Sequence, residues 1–224
     1  MIQAFRNFIT RRTFAYKLRN KAMNMFSSFE NFNLIREKAE ASRKAENRPH
    51  EVLYFHKVDD PYSHLTVHYI DKFKEAYDVQ FKPILVGEEN PAALHEPTLY
   101  TDYCLEDVKR IASYYDVDFP GKSYPDKKLV DKANSILTAV NPDEFGSVAK
   151  TVSHALWSGD LAKLEELEVS YKSSEQEVIE TLKEGNEIRN GCDYYFGSAF
   201  YYEKELYWGV DLSLIHISEP TRRV

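Results

Sequence analysis

Residues 52 to 65 read Val-Leu-Tyr-Phe-His-Lys-Val-Asp-Asp-Pro-Tyr-Ser-His-Leu, and they constrain the fold more than any other stretch. The apolar run from Val52 to Phe55 reads as a buried strand. Asp60 and Pro61 read as a helix start. The Asp side chain caps free backbone amides, and Pro suits the first helical position, where a missing N–H costs nothing. A strand feeding directly into a helix N-terminus concentrates amides and dipole at one point, which favours an anion or a thiolate.

The stretches that follow are consistent with this start. Strand 1 is expected at about 51–57, a helix from Pro61 to about Tyr77, and a second strand from Val79 to Val86, ended by Gly87. A β-α-β unit of this size makes a right-handed crossover between parallel strands. Helical periodicity then covers 98–115, 125–139, a segment capped at Asn141 and reaching Trp157, and 161–168. Ser174 and Glu177 have the spacing of a capping box opening a helix to about Asn190. Two short strands, 199–202 and 206–210, flank Glu203-Lys204-Glu205. The expected class is α/β: a thioredoxin-like fold with a helical insertion, about 92–172, between β-α-β and a C-terminal hairpin.

The ends differ from this domain, which is expected to span 49–211. Residues 1–48 form a basic extension. Arg6, Arg11, Arg12, Lys17, Arg19 and Lys21 precede the first acidic residue, Glu30. Phe5, Phe8, Ile9, Met25, Phe26 and Phe29 recur at helical spacing. A packing helix, a peripheral membrane helix and a presequence are all open readings. Residues 212–224 form the other end. Leu212 to Arg222 reads as the translation of a transposase-type sequencing adapter, so these residues are expected to be a non-native tail. On that reading the helix expected after the hairpin is truncated.

Composition narrows the function. A formal net charge of -7 argues against nucleic acid as the main partner. No apolar run approaches the length of a membrane span. Cys104 and Cys192 belong to no Cys-x-x-Cys pair, which suits a reducing, cytoplasmic setting. His64 and His68 stand four apart, a zinc-compatible spacing that lacks a third ligand, so no metal is expected. Both cysteines read as small packing groups. Tyr195, Tyr201, Tyr202, Tyr207 and Trp208 serve either as an aromatic pocket or as cross-strand packing.

Several motifs, taken in order, resemble a known family. Tyr54-Phe55 followed by Asp60-Pro61-Tyr62-Ser63-His64-Leu65 is similar to the strand-loop-helix start of DsbA-like thioredoxin-fold proteins. The nearest branch is that of 2-hydroxychromene-2-carboxylate isomerases and kappa-class glutathione transferases. Pro83 to Gly87, Asn90-Pro91, Val108 to Phe119, Ala155 to Trp157, Phe196 to Phe200 and Tyr207 to Asp211 resemble later motifs of that branch. The resemblance implies a glutathione site and a small hydrophobic substrate. It also leaves room for a homodimer or a second thioredoxin-like domain. By position, Asp60, Tyr62 and Ser63 would stand at the reacting thiol. Asn90, Pro91, Gly197, Ser198 and Asp211 would line the cofactor.

Three positions depart from the family pattern. Asp60 replaces the usual Ser or Cys, and a carboxylate beside a thiol disfavours the thiolate. Ser63 replaces the second redox cysteine, which excludes Cys-x-x-Cys chemistry there. Ser198 stands at the cis-proline position, where a non-proline cis bond would cost ~2.5–4 kcal/mol. Asp60 is thus open to two readings, N-cap or catalytic acid–base group. A non-catalytic thioredoxin-fold binding domain is the alternative to an enzyme.

Overall fold

The structure, a computed structural model, describes residues 14–87 and 96–209. The chain divides into two units, Met1–Pro49 and His50–Val224. In the first unit, α1 spans Phe14–Phe26 and α2 spans Phe29–Ala45. Ser28 caps α2, its hydroxyl accepting from the Asn31 amide at 3.2 Å. No described side chain of α2 is buried.

The second unit is built on a four-stranded sheet. Its strands are β1 (Glu51–His56), β2 (Gln80–Leu85), β3 (Ala199–Tyr202) and β4 (Glu205–Trp208), in the order β2-β1-β3-β4. β1 and β2 are parallel, with Val52 opposite Phe81 and Phe55 opposite Ile84. β3 runs antiparallel to both β1 and β4. β1 is central, so both faces must be apolar: Tyr54 and Phe55 point to opposite sides and both are fully buried.

The helices cover these two faces differently. Val52 and Tyr54 pack with Ile70, Phe73 and Phe81, and with apolar residues of the helical insertion. That insertion contains α5 (Pro97–Ile111), a 3₁₀ turn (Ala112–Tyr115), α6 (Lys127–Thr138), α7 (Phe145–Ser158) and α8 (Leu161–Glu168). Phe55 packs on the other face with Val86, Tyr194 and Ala199, and with Ile188 of α9 (Glu175–Gly191). The Ser174–Glu177 capping box opens α9.

The order of elements is that of a thioredoxin-like fold with a helical insertion. Three local expectations need correction. The first crossover helix is two helices, α3 (Pro61–Val67) and α4 (Ile70–Ala76). At the joint the His68 and Tyr69 amides donate to Leu65 and Thr66 carbonyls, three residues back, so the turn tightens and the axis breaks. The helix expected from Asn141 begins at Phe145, because Asn141 spends its carbonyl on a turn to the Glu144 amide. The hairpin turns on Glu203 and Lys204 alone, both with positive φ (44° and 71°), and Glu205 joins β4. Two consecutive left-handed residues give the twist a tight hairpin needs, even without the favoured Asn-Gly. The helix expected after the hairpin, the tail and residues before Phe14 lie outside the described residues.

One glycine sets how closely α9 approaches the sheet. A Cβ at Gly185 would stand 1.9 Å from the Leu85 carbonyl oxygen, which is backbone and cannot swing aside. Gly185→Ala must therefore push α9 off β2. Chemical denaturation should show a loss of at least about 2 kcal/mol, at the upper end of overpacking costs; an unchanged midpoint would mean the approach is looser than described.

Candidate functional site

The loop between β1 and α3 is short and pinned. The Asp60 amide donates to the Lys57 carbonyl at 3.1 Å, and Val58 is buried beneath. Asp60 is therefore extended (φ -90°, ψ 120°) and its side chain turns back over the helix start. Its carboxylate accepts from the Tyr62 amide at 3.3 Å, the Ser63 amide at 2.9 Å and the Ser63 hydroxyl at 2.8 Å. Ser63 Oγ in turn accepts from the Lys57 amide at 3.3 Å. Asp60 is the N-cap, and the Ser63 hydroxyl is committed to holding it.

The Asp60 residue keeps part of its surface in solvent while its carboxyl group is enclosed. That enclosure dominates its titration: loss of water pushes the pKa up to about 6, from an ordinary 3.8. The Ser63 bonds and the Lys57 charge pull the other way without cancelling it. Lys57 itself is paired with Asp59 at 3.0 Å.

Below the cap lies a buried polar cluster contributed by β1, α3 and the β3 approach. Thr66 Oγ1 donates to the Tyr62 carbonyl at 2.9 Å, so Ser198 Oγ, 2.7 Å away, donates to Thr66. The Tyr54 hydroxyl lies 3.1 Å from His56 Nδ1. Burial raises the Tyr54 pKa and lowers that of His56 to about 3, so the pair is neutral. His56 is fully inside, with Nε2 unpartnered.

Gly197 and Ser198 close the site from the sheet side. A Cβ on Gly197 would lie 2.8 Å from Lys57 Cβ and 3.2 Å from Asp60 Oδ2, so only glycine passes this close to the cap. The Gly197 carbonyl accepts from the Tyr194 hydroxyl at 2.8 Å. Ser198 does not take the conformation expected of a cis-proline position. There is no cis peptide bond among the described residues, and Ser198 is left-handed at φ 51°. It is buried, and its carbonyl accepts from the Gly209 amide at 3.0 Å. A buried, left-handed residue other than glycine stores about 1–3 kcal/mol of strain.

Aromatic residues stack on one another next to the site. Tyr100 of α5 stacks on Phe196 (5.1 Å, 16°), and Phe196 stacks on Trp208 (5.8 Å, 5°). Tyr195 meets Phe196 edge-on at 4.6 Å. The Tyr62 hydroxyl donates to Asp107 at 2.7 Å, which fixes the ring beside Cys104. Cys104 is buried; desolvation first, then the Asp60 and Asp107 charges, hold its thiol up at about 11. It stays protonated.

Asp60, Tyr62, Ser63, Gly197 and Ser198 thus meet around one point. Asn90, Pro91 and Asp211 lie outside the described residues. Of the aromatic candidates, Trp208 and Tyr195 join the stack through Phe196. Tyr207 bonds Glu205 and packs in the core, while Tyr202 bonds His50. Sequence reasoning missed Tyr54, Thr66, Tyr100 and Cys104. Tyr54 and His56 carried one signal, since two polar-tipped side chains on one face of a buried strand need partners. His64 is a satisfied core residue: Nδ1 accepts from Ser153 and Nε2 donates to the Asp118 carbonyl, both at 2.9 Å.

No protein-family model matches the sequence, and no curated protein matches it either. Solved structures are similar to it, and two of them carry weight for the fold. One is a 2-hydroxychromene-2-carboxylate isomerase, with TM-score 0.57 and 15% identity over 77% of this chain and 95% of that one. The other is a proposed protein disulfide isomerase from Nitrosomonas europaea, with TM-score 0.53 and 12% identity over 79% and 100%. At these identities the likeness concerns the fold, a thioredoxin-like one shared with DsbA-like proteins.

Ser198 gives a direct test of the local geometry. Proline fixes φ near -65°, so Ser198→Pro cannot fit a left-handed position and should cost at least about 3 kcal/mol in denaturation. A variant as stable as the parent would show that the segment accepts a proline.

Proposed function

We propose that the domain is a transferase- or isomerase-type enzyme for a small hydrophobic molecule, with glutathione as thiol partner and Asp60 as the acid–base group. The observation that carries this reading is the enclosed Asp60 carboxyl, raised to about 6, beside the Tyr100–Phe196–Trp208 stack. A carboxylate with that pKa is ionised at neutral pH and still basic enough to accept a proton. The stack offers apolar surface for a flat or hydrophobic substrate.

The residues present fit a neutral thiol better than a bound thiolate. The Tyr62 and Ser63 amides, which would stabilise an anion, are already used by Asp60. Oδ2 takes two bonds near 2.9 Å, whereas Oδ1 takes one long bond of 3.3 Å, which leaves Oδ1 able to accept from a donor. When bound, glutathione would supply the thiol nucleophile. Asp60 would hold the proton at Oδ1, Ser63 would fix the carboxylate, and Tyr62 would shield it from water. The two free cysteines suit a reducing compartment such as the cytoplasm.

A second reading, a non-catalytic binding domain, rests on Ser198. Its left-handed backbone, tied to Thr66, departs from the extended cis-proline segment that such folds use to pair with a ligand. Thiol–disulfide exchange is disfavoured because Asp60 and Ser63 carry no sulfur.

Asp60→Asn separates these readings, since Asn caps a helix about as well as Asp. Conjugation of glutathione to an aryl halide should rise about tenfold per pH unit below 6 and level off above it. Asp60→Asn should lower turnover by about 10²–10⁴ while glutathione still binds in calorimetry. Equal turnover of variant and parent would remove Asp60 from the chemistry. No binding at millimolar glutathione would remove the cofactor. Insulin reduction should not exceed background.

A further inference from the structure

The first unit offers a surface that the proposed chemistry does not use. On α1, Leu18, Ala22 and Met25 recur at i, i+4 and i+7, so they form one stripe. Leu18 and Met25 are 56% and 61% exposed. A step of about 100° per residue puts Lys21 on one flank of the stripe and Arg19 on the other. Lys17 lies beyond Lys21. The helix has no acidic residue, and the first in the chain is Glu30. The acidic residues of α2 are partly engaged: Glu40 pairs with Arg43 and Lys44 within that helix.

We propose that α1 docks on an anionic lipid bilayer surface, with Leu18, Ala22 and Met25 facing the acyl boundary. Arg19, Lys21 and Lys17 reach the phosphate level. Two requirements select this occupant. The stripe needs an apolar medium, and the flanking cations need anions at the same depth. A bilayer interface supplies both, and long cationic side chains extend from an apolar stripe to the headgroups. Another α1 from a second copy would satisfy the stripe but would set cation against cation. A nucleic acid would satisfy the cations and leave Leu18 and Met25 in water. The mode is surface binding: no helix among the described residues is long and apolar enough to cross a membrane.

Co-sedimentation of the full chain with phosphatidylcholine vesicles, with and without phosphatidylglycerol, tests the proposal. Binding should be at least about tenfold tighter with the anionic lipid, and should weaken as salt is added. Leu18→Glu with Met25→Glu, and separately Lys17→Gln with Arg19→Gln and Lys21→Gln, should each lose at least about tenfold in binding. Ile179→Glu, at an exposed apolar position on α9, should leave it unchanged. Equal binding to both vesicles would overturn the proposal, as would insensitivity to both α1 variants. A self-associated species that Leu18→Glu dissolves, with no vesicle binding, would assign the stripe to a second copy instead.

Discussion

The carboxylate of Asp60 is the interaction on which the rest of the site depends. Three donors converge on it from a single turn: two amides and the Ser63 hydroxyl. A helix N-terminus has unsatisfied amides and a partial positive charge, and some anion must answer both. In this chain the anion is the protein's own. Once Asp60 is in place, Ser63 is turned toward Lys57, Thr66 toward Ser198, and Tyr62 outward to Asp107. The approach of Gly197 follows, since a side chain there would displace either Lys57 or the carboxylate.

That arrangement changes what a thioredoxin-like scaffold can do. A cysteine or serine at the helix start leaves its amides available to a foreign sulfur. Asp60 consumes them, yet enclosure keeps it from being a fully satisfied cap. Burial outweighs the hydrogen bonds, and the pKa rises to about 6 rather than falling. Asp60 is thus a structural cap whose ionised form is partly destabilised by its own enclosure. The buried layer below, Tyr54, His56, Thr66 and Ser198, carries no charge to disturb that balance.

Much of this architecture was legible in the sequence because it is local. The run Val52 to Phe55, the Asp60-Pro61 start and the Ser174–Glu177 box each encode their structure within a few residues. The order of elements then follows. What was not legible depends on contacts distant in sequence. Ser198 is left-handed because Thr66 and Gly209 hold it, and neither is its sequence neighbour. Tyr100 reaches the site only because α5 packs against α3, through Val108 and Leu65. Cys104 reads as a packing residue in sequence, and packing is indeed what keeps its thiol neutral; its position beside Tyr62 appears only in the fold. The break at His68 and Tyr69 interrupts a periodicity that shows no interruption, with no Pro or Gly to mark it.

The ionisation of one carboxyl group separates a plain helix cap from an acid–base group. Carbon-13 NMR titration of the Asp60 side chain, assigned through Asp60→Asn, measures it directly. An enclosed cap predicts a midpoint near 6. A midpoint at or below the ordinary value of 3.8 would show that the hydrogen bonds prevail over burial, leaving Asp60 a plain helix cap with no proton to exchange near neutral pH.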